Sequence, residues 1–382
     1  MMSWLKASAL ASVLSVTTAL SAEAIELNAK SYIIGDTETG TIALEKDSND
    51  RMGPASLTKL MTLYLIFEAL ESGTLTLETE IPVSEKAWRM GGSKMFIEVG
   101  KKVPVDDMIK GIAVVSGNDA CIAMSEFLGG SEEGFAVMMN EKAEELGMMN
   151  TNFVNASGWP SDLQYTTAKD MFTLAKRIQK DFPQFYHYFS IPSFEFSGIK
   201  QSNRNGLLNR GIGVDGLKTG HIEEAGFHLI SSARQGDERL ISVVMGTDSM
   251  AQRESESQKG LVYVFRTFDL RDMVRAGDVM QKDVPVWHSV EGGLKVVAKD
   301  TLTTYIGARD ADGLKANLEI KEGLVAPIKA GETVGQLTFV HPADNRMFSV
   351  DVVAQHDVTR KGFFGRLWDS FLSWLGIIDG PK

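Results

Sequence analysis

The chain has 382 residues, of which 43% are hydrophobic and 23% are charged, a composition typical of a globular protein with sizeable cores and about two domains. The formal net charge of −11 argues against a general nucleic-acid partner, because such proteins carry basic surfaces. The six histidines are scattered, with no HExxH motif and no Cys/His cluster, so we expect no metal ion and no cofactor.

The first residues have the pattern of a secretory signal. Lys6 precedes an apolar run over residues 7–20, and Ala22-Glu23-Ala24 fits a small-residue cleavage site. The apolar run is too short for a membrane-spanning helix. The pattern therefore predicts a signal peptide over residues 1–24 and a mature chain that begins near Ile25. The alternative is a buried N-terminal helix.

Residues 25–275 combine strand and helix patterns, and we expect them to form one domain. A hairpin is predicted over residues 31–46, and a helix is predicted from Ser56, where apolar residues begin to recur at three-to-four spacing after Pro54. Further helices are predicted over residues 106–115, 119–127, 134–147, 167–179 and 253–268. Strands are predicted over residues 214–219, 226–232 and 240–246, with a hairpin turn at Gln235-Gly236-Asp237. This is an α+β arrangement, in which helices pack on a sheet.

After about Val274 the pattern changes to short strands separated by turns. Strands are predicted over residues 284–287, 294–297, 302–306, 314–320, 333–339 and 347–353. Pro285 lacks a backbone donor, which favours an edge position for the first of them. We expect a small all-β domain over residues 280–357, and a role as a spacer is one hypothesis for it.

The last segment, residues 360–382, predicts an amphipathic helix that is too short to span a bilayer. Its apolar residues are Leu367, Trp368, Phe371, Leu372, Trp374 and Leu375, with Asp369, Ser370 and Ser373 opposite. Four basic and two acidic side chains give the segment an excess of positive charge, which favours an anionic lipid surface. We expect the helix to anchor the protein to a membrane. The alternative is docking on its own β domain or on a partner chain.

Three short motifs carry the chemistry: Ser56-x-x-Lys59, Ser116-Gly117-Asn118 and Lys218-Thr219-Gly220. Ser56 and Lys59 lie three residues apart at a predicted helix start, so the amine can reach the hydroxyl. Serine needs a base before it becomes an effective nucleophile, and a lysine is that base only if burial or a nearby cation lowers its pKa. We expect Lys218 to be the second cation, so that both amines converge on Ser56.

The other two motifs supply polar groups to the same reaction. Ser116 and Asn118 fall in a turn between two predicted helices, where a helix cap is the structural alternative. In an active site, Ser116 relays a proton and Asn118 binds a substrate carbonyl. Lys218 and Thr219 can bind an anion at a strand edge, where Gly220 lets a substrate backbone approach closely. Together the motifs predict acyl transfer on a serine.

With these motifs, the chain resembles a D-alanyl-D-alanine carboxypeptidase of the low-molecular-mass, type-5 penicillin-binding class. The phrases that carry the resemblance are Pro54-Ala55-Ser56-Leu57-Thr58-Lys59-Leu60-Met61-Thr62, Met95-Phe96-Ile97, Ser116-Gly117-Asn118-Asp119-Ala120, Asn203-Arg204-Asn205, Val214-Asp215-Gly216-Leu217-Lys218-Thr219-Gly220-His221 and Gly362-Phe363-Phe364-Gly365-Arg366 with Trp368. The implied fold is a penicillin-binding/β-lactamase-like transpeptidase domain, an antiparallel sheet with a helical region. The small all-β domain and the C-terminal amphipathic helix follow it.

The resemblance implies three catalytic residues. Ser56 is expected to be the acylated nucleophile, with Lys59 as its base. Ser116, together with Lys218, is expected to pass a proton to the leaving D-alanine. The backbone N–H groups of Ser56 and His221 would form the oxyanion hole, the fixed donors that acyl transfer needs.

The resemblance also implies a set of substrate-binding residues. They are Asn118, Lys218, Thr219, Gly220, His221 and Arg253. Thr219 and Arg253 are expected to bind the terminal carboxylate of the substrate. By its own pattern, Arg253 is an ordinary solvated helix residue, and only the resemblance gives it a role.

The implied activity is removal of the terminal D-alanine from peptidoglycan stem pentapeptides, with β-lactams as covalent inhibitors. The implied location is the periplasm, at the inner-membrane surface. The alternatives are a β-lactamase, a DD-endopeptidase and a non-catalytic cell-wall scaffold. Two features depart from the family pattern: Ile222 replaces an expected threonine, and the stretch from Lys59 to Ser116 is short. The Glu-x-x-Leu-Asn motif of class A β-lactamases is missing between Asn118 and Lys218, which disfavours that alternative.

Overall fold

The computed structural model describes residues 25–307, 314–340 and 347–376. The predicted signal peptide lies outside the described residues, as do residues 377–382 of the predicted C-terminal segment. In the described ranges, a unit of helices and an antiparallel sheet precedes a small β unit, and one helix follows. The predicted fold class is confirmed.

The first unit begins with the predicted hairpin and a central helix. Strands β1 (Ser31–Asp36) and β2 (Ile42–Lys46) pair antiparallel. A short 3₁₀ helix, Ala55–Thr58, leads into helix α1 (Lys59–Glu71). Helix α1 is buried on all sides from Lys59 to Phe67, as expected of a helix at the centre of a core.

Helices and short hairpins surround α1. In chain order they are β3 (Glu80–Pro82), α2 (Glu85–Arg89), β4 (Lys102–Pro104), α3 (Val105–Ala113), α4 (Asn118–Gly129), α5 (Glu132–Glu145), α6 (Ala168–Asp181), β5 (Ser193–Phe196) and β6 (Ile199–Ser202). The hydroxyls of Ser131 and Thr167 cap α5 and α6, which fixes where these helices begin. The four long predicted helices are confirmed, whereas α2 and the strand pairs β3–β4 and β5–β6 were not predicted.

Three long strands complete the first sheet: β7 (Val214–Ile222), β8 (Gly226–Gln235) and β9 (Glu238–Thr247). The strand order is β2-β1-β9-β8-β7, with antiparallel neighbours throughout, so β7 is an edge strand. Side chains alternate between the faces. Ile33 joins the helical core around α1, whereas Tyr32 and Ile34 pack with residues of α7 (Met250–Thr267). The turn at Gly236 lies where it was predicted.

The described part of the second unit contains seven strands. They are β10 (Phe268–Val274), β11 (Val279–Pro285), β12 (Gly293–Ala298), β13 (Leu302–Gly307), β14 (Lys315–Ile320), β15 (Thr333–Val340) and β16 (Met347–Ala354). Five of them form a sheet in the order β11-β12-β16-β15-β14, which confirms the edge position predicted from Pro285.

Strand β10 was not predicted, and it links the two units. It starts at the residue after α7 ends and pairs antiparallel with β13. Tyr305 of β13 is buried in the core cluster that contains Tyr32 and Leu261 of the first unit. Its hydroxyl donates to Glu238 Oε1 at 2.9 Å. The two units therefore share packed side chains.

The C-terminal helix α8 (Phe363–Trp374) contacts the rest of the chain through an acidic residue on its polar side. Asp369 is only 7% exposed; its carboxylate accepts from Lys361 Nζ at 2.9 Å and lies 3.3 Å from His288 Nδ1. The apolar side remains exposed, and its residues are Phe363, Phe364, Leu367, Trp368, Phe371 and Trp374.

Candidate active site

Ser56 and Lys59 meet at the start of α1. The 3₁₀ geometry eclipses residues three apart, which brings the Lys59 ammonium to 3.0 Å from Ser56 Oγ. Lys59 Nζ also donates to the carbonyl of Ser157. The side chain is completely buried, and this burial, with a smaller contribution from the Arg204 charge, lowers the pKa of Lys59 to about 8. A lysine with this pKa can accept a proton near neutral pH.

Ser116 and Lys218 form a second amine–hydroxyl pair. Ser116 lies between α3 and α4 with a left-handed backbone, φ 62°. Lys218 Nζ lies 3.0 Å from Ser116 Oγ and donates to Thr219 O at 3.0 Å. Burial, together with repulsion from the Lys59 and Arg204 charges, lowers the pKa of Lys218 well below its usual range.

The expected hydrogen bond between Lys59 and Ser56 is present, whereas the amine of Lys218, the expected second cation, hydrogen-bonds Ser116. Each lysine hydrogen-bonds its own serine, because Lys59 reaches up from α1 while Lys218 reaches across from β7 to the α3–α4 turn. Burial, more than a second cation, lowers the pKa of Lys59. The two serines nevertheless line one cleft.

Asn118 is the first residue of α4, and its Nδ2 donates to Gly91 O at 2.8 Å. The next residue, Asp119, was missed as a site residue. Its buried carboxylate accepts backbone N–H bonds from Met95, Phe96 and Ile97 at 2.9 to 3.2 Å. The phrases Met95-Phe96-Ile97 and Ser116-Gly117-Asn118-Asp119-Ala120 were each visible in the sequence, but only the fold joins them. Asp119 thus fixes the backbone that neighbours the cleft.

The edge strand β7 brings Thr219, Gly220 and His221 to the cleft. A Cβ on Gly220 would stand 3.2 Å from Ala55 Cβ and from Pro54 O. The absence of a side chain therefore lets the strand approach the nucleophile turn, a contact that was not predicted. His221 is exposed, and its ring stacks on Phe227 with centroids 3.9 Å apart.

Arg253 is not solvated, in contrast to the prediction from its helix pattern. It is 3% exposed, and its guanidinium donates to Gly220 O and to Arg204 O, each at 3.4 Å. The surrounding strand and loop cover this face of α7, which a single-helix pattern cannot reveal. Arg204 also lines the cleft, a position that the phrase Asn203-Arg204-Asn205 did not predict. Partial burial lowers the pKa of the Arg204 guanidinium.

These groups surround one open cleft of about 450 Å³. Of the predicted site residues, the six that line it are Ser56, Ser116, Thr219, Gly220, His221 and Arg253. Lys59 and Lys218 lie behind the two serines. Within residues 25–307, 314–340 and 347–376, no group of three or more His, Cys, Asp or Glu side chains is placed to hold a metal ion. A buried serine–amine pair beside two arginines suits acyl transfer from a substrate that carries an anion.

Two family models match the chain in tandem. One, described as D-alanyl-D-alanine carboxypeptidase, matches residues 17–249. The other, described as penicillin-binding protein 5, C-terminal domain, matches residues 268–360. The second match begins at the first residue of β10, the strand that pairs with β13.

Individual proteins resemble the chain over most of its length. The D-alanyl-D-alanine carboxypeptidase DacA of Escherichia coli (strain K12) is 36% identical over 365 residues, which are 92% of this chain and 90% of the relative. The crystal structure of the D-alanyl-D-alanine carboxypeptidase DacD from Francisella tularensis superposes with a TM-score of 0.80 at 34% identity, covering 88% of this chain and 95% of that one. Penicillin-binding protein D2 from Listeria monocytogenes in the ampicillin-bound form gives 0.57 at 30% identity, covering 62% and 96%.

Proposed function

This chain belongs to the D-alanyl-D-alanine carboxypeptidase family, and from that premise we propose how its cleft performs the reaction. It is a serine D-Ala-D-Ala carboxypeptidase, a hydrolase that acts on peptidoglycan stem peptides and is acylated by β-lactams. The observation that carries the mechanism is the 3.0 Å contact between Ser56 Oγ and the buried Lys59 amine. It supplies a nucleophile and a base without histidine.

In the proposed acylation step, Ser56 Oγ attacks the carbonyl of the penultimate D-alanine while Lys59 takes the hydroxyl proton. The backbone N–H groups of Ser56 and His221 are the proposed donors to the oxyanion. Ser116 donates its hydroxyl proton to the nitrogen of the leaving D-alanine as the amide C–N bond breaks, and it takes a replacement proton from the Lys218 ammonium 3.0 Å away. Water then hydrolyses the ester and frees Ser56.

The cationic side of the cleft is proposed to hold the substrate's terminal carboxylate. Thr219 lies on the edge strand, and Arg253 lies behind it with its Nε unpaired in the described part of the chain. Arg204 lines the same cleft and is the third group proposed to contact this carboxylate. Asn118 is proposed to bind the peptide backbone on the opposite wall. A carboxylate among these groups would gain charge-assisted hydrogen bonds.

Mass spectrometry of the intact protein after exposure to benzylpenicillin tests the mechanism. We expect one covalent adduct on the native protein and none on Ser56→Ala, which should also release no D-alanine from a pentapeptide. Ser93→Ala, in the same cleft, is the matched control and should be labelled normally. An adduct that persists in Ser56→Ala would refute the assignment. Release of opened drug or cleavage of a cross-linked dimer would instead favour the β-lactamase or endopeptidase alternative.

For the whole chain we propose residues 1–24 as an export signal, 25–275 as the catalytic domain, 280–357 as a small β domain and 360–382 as a membrane anchor. The proposed location is the periplasmic face of the inner membrane. Across the residues that the structure describes, no helix combines the length and apolar character that a bilayer crossing requires. Attachment is therefore proposed to be peripheral.

The orientation of α8 supports this attachment. Its polar side is held to the β unit through Asp369, while Phe364 and Trp374 are 83% and 80% exposed. An exposed row of aromatic side chains on a helix is suited to the headgroup region of a membrane. Docking on the chain's own β unit would bury that row of side chains, but the row is exposed.

Vesicle flotation tests the anchor. The mature chain should float with vesicles that contain phosphatidylglycerol, and the double variant Trp368→Asp, Phe371→Asp should remain at the bottom. The double variant Val279→Asp, Met347→Asp changes exposed apolar residues of β11 and β16 and is the charge-matched control. Equal flotation of all three proteins would contradict the proposal.

A further inference from the structure

An exposed tryptophan lies beside the active-site cleft on the segment between α5 and α6. Asn152 and Tyr165 pair antiparallel, with N–O distances of 2.9 and 3.2 Å, and close this segment at its base. We call the enclosed residues the 153–164 loop. It carries Trp159, which the mechanism above does not use.

The residues before Trp159 are in contact with the catalytic turn. Ser157 O accepts a hydrogen bond from Lys59, the proposed base. Gly158 has φ 83°, and a Cβ there would lie 1.8 Å from Ala55 O. Ser157 and Gly158 therefore pack against the nucleophile turn, and Trp159 is the next residue.

Side-chain amides of the loop fix the backbone of Trp159. Asn155 Oδ1 accepts from Trp159 N at 3.0 Å, and Asn155 Nδ2 donates to Trp159 O at 2.9 Å. Gln164 Nε2 donates to the same carbonyl at 3.3 Å. None of these bonds involves the indole ring, so they remain when the ring is replaced.

The indole ring itself packs against Gly91 and Gly92, the residues that precede Ser93 of the cleft lining. Its edge stands 3.3 Å from a Cβ position on Gly91 and 3.4 Å from one on Gly92, and the latter position is 2.8 Å from Asn118 Nδ2. Yet Trp159 remains 47% exposed. A large apolar surface held rigidly next to a substrate-binding group is typical of a recognition site.

We propose that Trp159 forms a subsite for the apolar part of the acyl donor, on the N-terminal side of the scissile carbonyl. The cations of the cleft are on β7, on α7 and on the loop after β6 that carries Arg204, where they would hold the leaving end of the substrate. Trp159 is on the helical wall with Asn118, so it faces the end that stays on Ser56. Its ligand is an aliphatic side chain of the stem peptide or the aryl group of a penicillin. This inference rests on the proposed function.

Two penicillins separate the subsite from the chemistry. Benzylpenicillin carries an aryl side chain, and 6-aminopenicillanic acid carries none. In Trp159→Ala, we expect the second-order rate of acylation by benzylpenicillin to fall about tenfold, a loss consistent with the burial of an aromatic ring. The rate with 6-aminopenicillanic acid should change less than about twofold. Trp159→Phe should restore most of the benzylpenicillin rate, and Trp88→Ala, an exposed tryptophan on α2, should change neither rate.

The outcomes of this experiment test the Trp159 subsite separately from the proposed function. Equal losses with both drugs would mean that the ring only supports the loop, and no loss with either would mean that nothing binds it; both results overturn the subsite. Absence of acylation of the native protein by either drug would instead refute the proposed function. The selective loss is the only result that supports Trp159 as a determinant of acyl-donor preference.

Discussion

The ammonium of Lys218 lies 3.0 Å from the hydroxyl of Ser116, and both side chains are about 2% exposed. Ser116 holds a left-handed backbone conformation that costs a residue other than glycine about 1 kcal/mol. That cost persists because the turn between α3 and α4 brings a hydroxyl to an amine on a strand 102 residues later. This pair is distinct from Ser56 and Lys59. Different residues can therefore deprotonate the nucleophile and protonate the leaving group.

The pH dependence of acylation should report the Lys59 amine. Because burial lowers its pKa to about 8, only about a tenth of the protein has a free amine at pH 7. The second-order rate of acylation by a fluorescent penicillin should therefore rise about tenfold between pH 7 and 9 and then level off. Lys59→Arg keeps the charge at every pH and should not be acylated. A flat profile from pH 6 to 10 would contradict this role.

Asp119 should contribute to stability as well as to the shape of the cleft. Asp119→Ala would leave three N–H groups, two of them buried, without their acceptor, and we expect a loss of about 3 kcal/mol in the free energy of unfolding by urea. Asp119→Asn keeps one oxygen acceptor and should lose less. Asp107→Ala, on the partly exposed side of α3, should cost less than about 1 kcal/mol. Similar values for Asp119→Ala and Asp107→Ala would argue against the positioning role.

Gly158 should be intolerant of any side chain. Its φ is 83°, and a Cβ would collide with Ala55 O at 1.8 Å, so Gly158→Ala must displace the turn that carries Ser56. We expect loss of penicillin labelling together with a lower melting temperature. Gly73→Ala is the matched control: its φ is 73° and its Cβ position meets open space, so it should cost about 1 kcal/mol and label normally. Normal labelling of Gly158→Ala would show that the turn tolerates displacement.

Arg253 should discriminate between a charged and a neutral substrate terminus. For an acyl-D-Ala-D-Ala peptide, Arg253→Ala should reduce kcat/KM at least about tenfold, because a hydrogen bond to a charged group contributes about 1.5–3 kcal/mol. The same peptide with a C-terminal amide should be affected much less. Arg210→Ala, whose exposed side chain pairs with Glu254, serves as the control. An equal loss of kcat/KM with the carboxylate and amide peptides would mean that Arg253 has only a structural role.

The reach of Lys59 to Ser56 could be predicted because it depends only on local geometry, three residues apart at a helix start. The order of strands and helices was also largely predictable, since their apolar periodicity is strong. Strand β10 was not predicted, because the helix pattern continues to Phe268 and only Phe268 and Leu270 alternate with polar residues. The alternating pattern at the start of β10 is too short to predict a strand by itself.

Other parts of the site depend on contacts between distant segments. The burial of Arg253 requires β7 and the Arg204 loop, which the pattern of α7 does not contain. The bonds of Asp119 reach back 22 to 24 residues, and the Asp369 contact with His288 spans 81. Sequence patterns describe which side of an element is apolar. They do not identify the polar atom that an element will meet.

Helix α7 passes into β10 without an intervening residue, and β10 pairs with a strand of the second unit. Bending at this joint would remove Tyr305 from the core cluster that it shares with the first unit, so that contact restricts such bending. If α8 rests on a bilayer, the second unit would hold the cleft at a fixed distance from the lipid surface. Only the layer of cell wall at that height would then be within reach of Ser56.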